Sequence, residues 1–288
     1  MIFTPKKADR NDLRNALTES FLYTRFEMLM QNQFKWTGLE ELNIQEKHIE
    51  RYLFNDGCCL FFEDKVNGLM CLPCYGEGGQ NVYGEFLRYR ATGFNYTYSV
   101  KAEDCVLIEN NKLRMPTSMA VLYFVEQLYE LKRTMDVNVK QLQLQTLFSA
   151  TDKNVLTVKK IIDELEKHNW AIITDSVMNV DEIVKAIQTG VKCLTPELTD
   201  RYNAVMNEAL TYFGINNSNT DKRERLITDE ANANNQLIDS CAEMFLEARK
   251  RACEEINKKF DTNISVELRN KREQQDYDIT EPYEVDSE

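Results

Sequence analysis

The stretch Thr195-Pro196-Glu197-Leu198-Thr199-Asp200-Arg201-Tyr202-Asn203-Ala204-Val205-Met206-Asn207-Glu208-Ala209-Leu210-Thr211-Tyr212-Phe213-Gly214 carries its own start and stop signals. Thr195 suits an N-cap, where a hydroxyl accepts from a free amide of the first turn. Pro196 suits the first helical position, where a missing N–H costs nothing. Leu198, Tyr202, Val205, Ala209 and Tyr212 recur on one helical stripe. Gly214 suits the left-handed residue that closes a helix. From Pro196 to Phe213 this predicts a rod of roughly 27 Å, at about 1.5 Å per residue.

A comparable rod precedes it. Pro116-Thr117-Ser118 opens a helix with Val121, Phe124, Leu128, Leu131 and Met135 on one stripe and Glu126, Glu130 and Arg133 off it. Thr117 or Ser118 is its expected N-cap. Residues 141–195, between the rods, read as a small α/β module. In it, Leu142, Leu144 and Leu147 come first, a helix with Val158, Ile161, Ile162 and Leu165 follows Thr157, a strand spans Trp170 to Thr174, and a helix spans Asp181 to Gln188. After Gly214, residues 216–235 are polar and are expected to form a loop. A third helix carries Leu237, Cys241, Phe245, Ala248, Ala252 and Ile256, and Asn263 to Leu268 alternates like a strand. The tail from Glu273 to Glu288 has seven acidic residues and no basic one, a composition expected to stay disordered.

Toward the N-terminus, Leu13 to Gln33 predicts a helix, with Leu13, Leu17, Phe21, Leu22, Phe26, Leu29 and Met30 at spacings of three and four. A short helix is expected from Gln45 to Leu53. The apolar runs Cys58 to Phe62 and Leu69 to Leu72 flank Asn67-Gly68, a hairpin signal. Residues 76–110, rich in Gly, Tyr and Phe, predict further strands and loops.

Composition limits the function classes. The chain has 288 residues, 43% hydrophobic and 28% charged, as a folded protein of one large or two modest domains would. Its longest wholly apolar run, Met119 to Val125, is far shorter than the ~20 residues of a membrane span. Residues 1–7 lack an apolar signal-peptide core, so the protein is expected to stay in the cytosol where it is made. In that compartment the eight cysteines are expected to be reduced and mostly packed. Cys71-Leu72-Pro73-Cys74 has metal-ligand spacing, but the adjacent Cys58 and Cys59 would point to opposite faces of a strand, and no metal is expected. His48 and His168 are each isolated. Gly76-Glu77-Gly78-Gly79 lacks the Lys-Ser/Thr of a phosphate loop and reads as a flexible turn. No Gly-x-Ser-x-Gly elbow is present. These residues supply neither a catalytic constellation nor a cofactor site, so no enzyme activity and no cofactor are expected. The net charge of −12 opposes tight gripping of phosphates, yet it suits a wall along which phosphates must slide.

Asn203 to Glu208, Phe213-Gly214-Ile215, and Lys222-Arg223-Glu224-Arg225-Leu226-Ile227-Thr228-Asp229-Glu230 closely resemble the portal (upper collar, head–tail connector) proteins of Picovirinae-type short-tailed phages. The likeness continues through Phe245-Leu246 and Ala252 to Asn257. Upstream it passes in order through Phe34-Lys35-Trp36, Asn81-Val82-Tyr83, Arg88 to Thr92 and Pro116-Thr117. The resemblance implies an α+β portal fold. Residues 1–115 would form the wing, 116–140 stem helix 1, 141–195 the clip, 196–215 stem helix 2, 216–235 a channel loop, 236–270 a wing or crown helix and strand, and 271–288 an acidic tail. It implies a dodecameric homo-oligomer at the capsid vertex of the virion. That ring would be a conduit for packaging and ejecting double-stranded DNA, in contact with the major capsid protein, the lower collar or tail protein and the packaging motor, and with no membrane.

The resemblance also implies residue roles. Lys222, Arg223 and Arg225 would contact DNA from the channel loop, although the same charges could pair with Asp221, Glu224, Asp229 and Glu230, and the pattern leaves both open. Gln188 and Glu197 stand where the family carries channel-wall lysines, so Lys192 and Arg201 are the nearest basic candidates. Lys6, Lys7 and Arg10, with Arg14, are what remains of a basic arm that in the family contacts nucleic acid, including a packaging RNA. An alternative reading is an acidic helical adaptor that binds another protein.

Overall fold

The structure, a computed structural model, describes residues 10–143, 146–149, 185–188, 192–217 and 228–269. The chain divides into two compact units. One comprises Phe21–Tyr123 with Ala209–Glu288, and the other Met1–Ser20 with Phe124–Glu208.

The larger unit is organised around a five-stranded antiparallel sheet. Strands β2 (Cys58–Asp64), β3 (Gly68–Gln80), β4 (Phe86–Gly93) and β5 (Tyr96–Lys101) form consecutive antiparallel hairpins. A 3₁₀ turn at Ala102–Asp104 then returns β6 (Cys105–Glu109) to pair with β2, giving the order β5-β4-β3-β2-β6. Leu60, Phe62, Tyr89, Ala91, Val100 and Cys105 cluster on one face, with Met70, Leu72 and Phe86 packed against them. On the other face Cys59, Phe61, Cys71, Val106 and Ile108 meet helices α2 (Glu46–Asp56) and α5 (Thr228–Phe260) and the short pair β1 (Phe34–Thr37) and β9 (Ser265–Leu268). Because β2 is covered on both faces, its sequence is apolar from Cys58 to Phe62 instead of alternating.

The first hairpin turns at 65–67, where Asp64 Oδ1 accepts from the amides of Val66 and Asn67, and Gly68 opens β3 at φ +74°. The glycine-rich stretch expected to be a flexible turn is instead the end of β3. A Cβ on Gly76 would lie 2.1 Å from the Phe86 ring, so this position stays bare for Phe86 to fold across it. A bulge between Glu77 and Gln80, with Gly78 at φ +80°, accommodates the remaining glycines.

Helix α1 (Arg10–Gln31) buries Leu22, Phe26 and Met30 but leaves Leu17 and Phe21 exposed, so the inward stripe is shorter than the periodicity predicts. Helix α5 begins at Thr228, so residues 228–235, expected in the loop, are helical. Polar residues alone do not prevent a helix when the packed face beyond them, here Ile238, Ala242 and Phe245, propagates it backward.

The smaller unit holds most of α3 (Thr117–Gln143) and of α4 (Thr195–Tyr212), with β7 (Thr146–Ser149) and β8 (Lys185–Gln188) between them. β7 and β8 pair antiparallel from Thr146↔Gln188 to Ser149↔Lys185. Residues 185–188, expected at the end of a helix, are therefore a strand, selected by a partner some forty residues away that local periodicity cannot reveal. The expected helix at 157–165, the strand at 170–174 and the acidic tail lie outside the described residues.

Candidate functional site

The two rods, expected to form a stem, depend on whatever fixes their ends. At the start of α3 the fixing is polar and buried. Arg249 of α5 sends Nε and Nη2 to the two oxygens of Glu50 on α2 at 2.9 and 2.8 Å, and both side chains are almost fully buried. Glu50 also accepts from Trp36 Nε1 at 2.8 Å, and the guanidinium lies 4.1 Å from the centre of the Phe34 ring. Arg249 donates further to Asn110 O, Asn110 Oδ1 and Phe245 O. Asn110 in turn sends Nδ2 to Met115 O at 2.8 Å and to Thr117 Oγ1 at 2.9 Å, at the first residue of α3. Thr117 is thus anchored from the preceding loop through its side chain. Gly57 completes the junction. It sits at φ +77° with its carbonyl accepting from Asn110 N, and any Cβ would lie 2.2 Å from Arg114 O. A second cluster joins Glu109 to Arg114 and Arg251. The hub was missed in the sequence, because Glu50, Asn110 and Arg249 are single polar residues in unrelated segments.

At the end of α4 the predicted stop signal is present in full. Ile215 N donates to Leu210 O at 2.8 Å and Gly214 N to Thr211 O at 3.0 Å, with Gly214 at φ +68°. These are the two bonds of a Schellman cap. A Cβ here would also lie 2.4 Å from Ala242 N on α5, so glycine is required both by its backbone angle and by the close approach of a helix. Phe213 is buried against Phe26 of α1.

Where the rods meet the insert, Asn138 of α3 is the tie. Its Nδ2 donates to Lys192 O at 3.0 Å and its Oδ1 accepts from Leu194 N at 3.0 Å, so one buried amide fastens the lead-in of α4 to α3. Lys192 lies in that lead-in and Arg201 within α4, and both side chains are exposed. Lys6, Lys7, Lys222, Arg223 and Arg225 lie outside the described residues. Arg10 opens α1 and Arg14 falls in its first turns.

The four cysteines of β2 and β3 sort onto two faces, with Cys59 and Cys71 Sγ atoms 3.4 Å apart in the core and Cys58 and Cys74 on the other side. No group of three or more His, Cys, Asp or Glu side chains among the described residues could hold a metal ion. Burial pushes the Cys105 thiol up to about 11 and the Cys253 thiol up to about 12, which keeps both protonated and unreactive at neutral pH. No helix among the described residues is long and apolar enough to cross a membrane.

Two helical rods, a strand pair between them among the described residues, and a polar hub at one root make up a structural scaffold whose class, the phage portal (connector) proteins, is set by the family match. The profile of the family described as Phage Connector (GP10) matches residues 6–273, and the chain belongs to that family of non-enzymatic connector proteins. In three dimensions it is similar to a chain from the virion of a native gene transfer agent particle, with TM-score 0.53 at 10% identity over 93% of this chain and 86% of that one. It is also similar to a chain in the portal and tail of native bacteriophage P68, with TM-score 0.49 at 12% identity over 92% and 91%. A third likeness is to an HK97-family phage portal protein from Corynebacterium diphtheriae, with TM-score 0.46 at 9% identity over 92% and 96%.

Proposed function

We propose that twelve copies of this chain assemble into a ring at the capsid vertex of the virion, and that double-stranded DNA is packaged and ejected through its channel. In this reading α3 and α4 form the stem and the insert beyond β7 and β8 forms the clip. The clip meets the packaging motor and later the lower collar or tail protein, while the larger unit forms a wing held by the major capsid protein. The observation that carries the reading is the connector-family match, which spans both rods and the insert between them.

Electrostatics support it. A chain of net charge −12 repeated around a channel repels phosphate, so DNA slides instead of sticking. Lys222, Arg223 and Arg225, Lys192 and Arg201 would then be local brakes on an otherwise repulsive wall, each worth one released counterion per phosphate contact. Lys6, Lys7 and Arg10 would serve a packaging RNA or the DNA itself.

The test is native mass and negative-stain imaging of the purified protein. The expected result is a ring of about twelve times the 33.7 kDa chain mass. A stable monomer with no ring at micromolar concentration would overturn the proposal.

A further inference from the structure

Cys58 and Cys74 are set up differently from the other cysteines. The β2–β3 register runs from Asp64↔Gly68 to Cys59↔Pro73, and one further step along it places Cys58 opposite Cys74. The two thiols are close enough to shift each other, Cys58 down and Cys74 up. Directly opposed residues of an antiparallel pair have Cα atoms about 4.5–5.5 Å apart, inside the ~4.4–6.8 Å range that a disulfide spans. Cys59 and Cys71 have touching sulfurs but are diagonal neighbours in the same register, since Cys59 faces Pro73 and Cys71 faces Phe61. Diagonal Cα atoms are about 7–8 Å apart, beyond bridging without backbone movement. Access differs as well, because Cys58 and Cys74 are part-exposed whereas Cys59 and Cys71 are buried.

We infer that Cys58 and Cys74 form an oxidation site, closing to a cross-strand disulfide when the protein passes from a reducing to an oxidising medium. Cys58 is the attacking group. The neighbouring Cys74 thiol, together with nearby Arg114, holds its thiol below the ordinary value, while the Cys58 sulfur and burial hold Cys74 far above it. With glutathione disulfide as oxidant, the Cys58 thiolate attacks one sulfur, forms a mixed disulfide and expels glutathione thiolate. Cys74 then loses its proton and attacks the Cys58 sulfur, releasing the second glutathione. The dithiol loses two electrons and two protons, and one glutathione disulfide becomes two glutathione thiols. The product staples β2 to β3 at the end where Gly57 and Arg114 root α3. This chemistry is independent of whether the chain forms a ring.

The experiment uses the reduced full chain, treated with excess glutathione disulfide, then denatured and alkylated. Of eight cysteines, six are expected to remain alkylatable. Dithiothreitol is expected to restore all eight and to lower the thermal midpoint of the oxidised protein by several degrees. Both cysteines of each pair fall on the same two tryptic peptides, so variants make the assignment. Cys74→Ser should stop at a glutathione adduct on Cys58, and Cys58→Ser should show neither adduct nor crosslink. Eight alkylatable thiols after oxidation, or a crosslink that survives in either variant, would overturn the inference. An unchanged thermal midpoint would overturn the staple.

Discussion

Gly214 answers two demands at once, a positive φ and a helix backbone at van der Waals distance. Valine fails both. We expect Gly214→Val to destabilise the fold by ~3 kcal/mol or more, from overpacking added to a left-handed β-branched residue. Urea unfolding read by circular dichroism checks this, and an unchanged midpoint would show that α4 can end without the cap. Glu50 and Arg249 make the opposite kind of residue-level statement. Removing one partner leaves a buried charge alone, so Arg249→Met and Glu50→Gln should each cost ~3–5 kcal/mol. The double variant should cost about as much as either single one, because each single variant already breaks the shared ion pair and the second removes the charge left alone. Strict additivity in a double-mutant cycle would contradict the hub. Of these residues the sequence announced only Gly214, whose role follows from its immediate neighbours. Glu50 and Arg249 lie 199 positions apart, and nothing local distinguishes them from the surface charges around them.

Among the elements, legibility followed the range of the forces that fix each one. Helix α4 was predicted to within a residue because Pro196 and Gly214 act within one turn, although the helix already begins at Thr195, the expected N-cap, and Leu194 O accepts its first bond. The β2–β3 hairpin was readable from Asn67-Gly68 for the same reason. Strand β1 was not, since Phe34 and Trp36 become a strand only by pairing with Leu268 and Val266. Strand β8 was misread as helix because four residues carry no period of their own. The hairpin end also sets a pH dependence. Tyr96 donates to Asp64 Oδ2 at 2.9 Å, and burial together with that carboxylate pushes the phenol up to about 12. A raised group contributes stability below its unfolded value of 10.0 that is lost as pH climbs toward the folded value. Backbone bonds from Asn67 and Val66 hold Asp64 low, so its contribution persists above about pH 4 and is lost on acidification. Tyr96→Phe should therefore flatten the stability curve between about pH 10 and 12. It should cost no more than ~1 kcal/mol at neutral pH, and an unchanged alkaline limb in chemical denaturation would refute the coupling. For the stretch after α4, replacing Lys222, Arg223 and Arg225 together with Ala should leave assembly intact and impair retention of packaged DNA. Normal retention in a packaging assay would assign those charges to local pairing with their acidic neighbours.

For the molecule as a whole, charge was the most informative global quantity, and it excluded more than it identified. Net −12 rules out a general phosphate grip, and we expect the purified protein not to retard linear duplex DNA on a gel at about 0.15 M salt. Tight binding there would mean that the basic residues cluster more strongly than the described ones do. The family was legible in stretches such as 203–230, whereas the five-stranded sheet was visible only as a region of strands, because its order depends on β6 returning to β2.

The ladder between β7 and β8 has an evolutionary corollary. Whatever lies from 150 to 184 enters and leaves through two hydrogen-bonded neighbours, and Asn138 latches the chain immediately beyond. Such a segment can lengthen, shrink or be exchanged like a tool bit in a fixed chuck, leaving the shank unchanged. Related phages could then fit the same rods to different machinery.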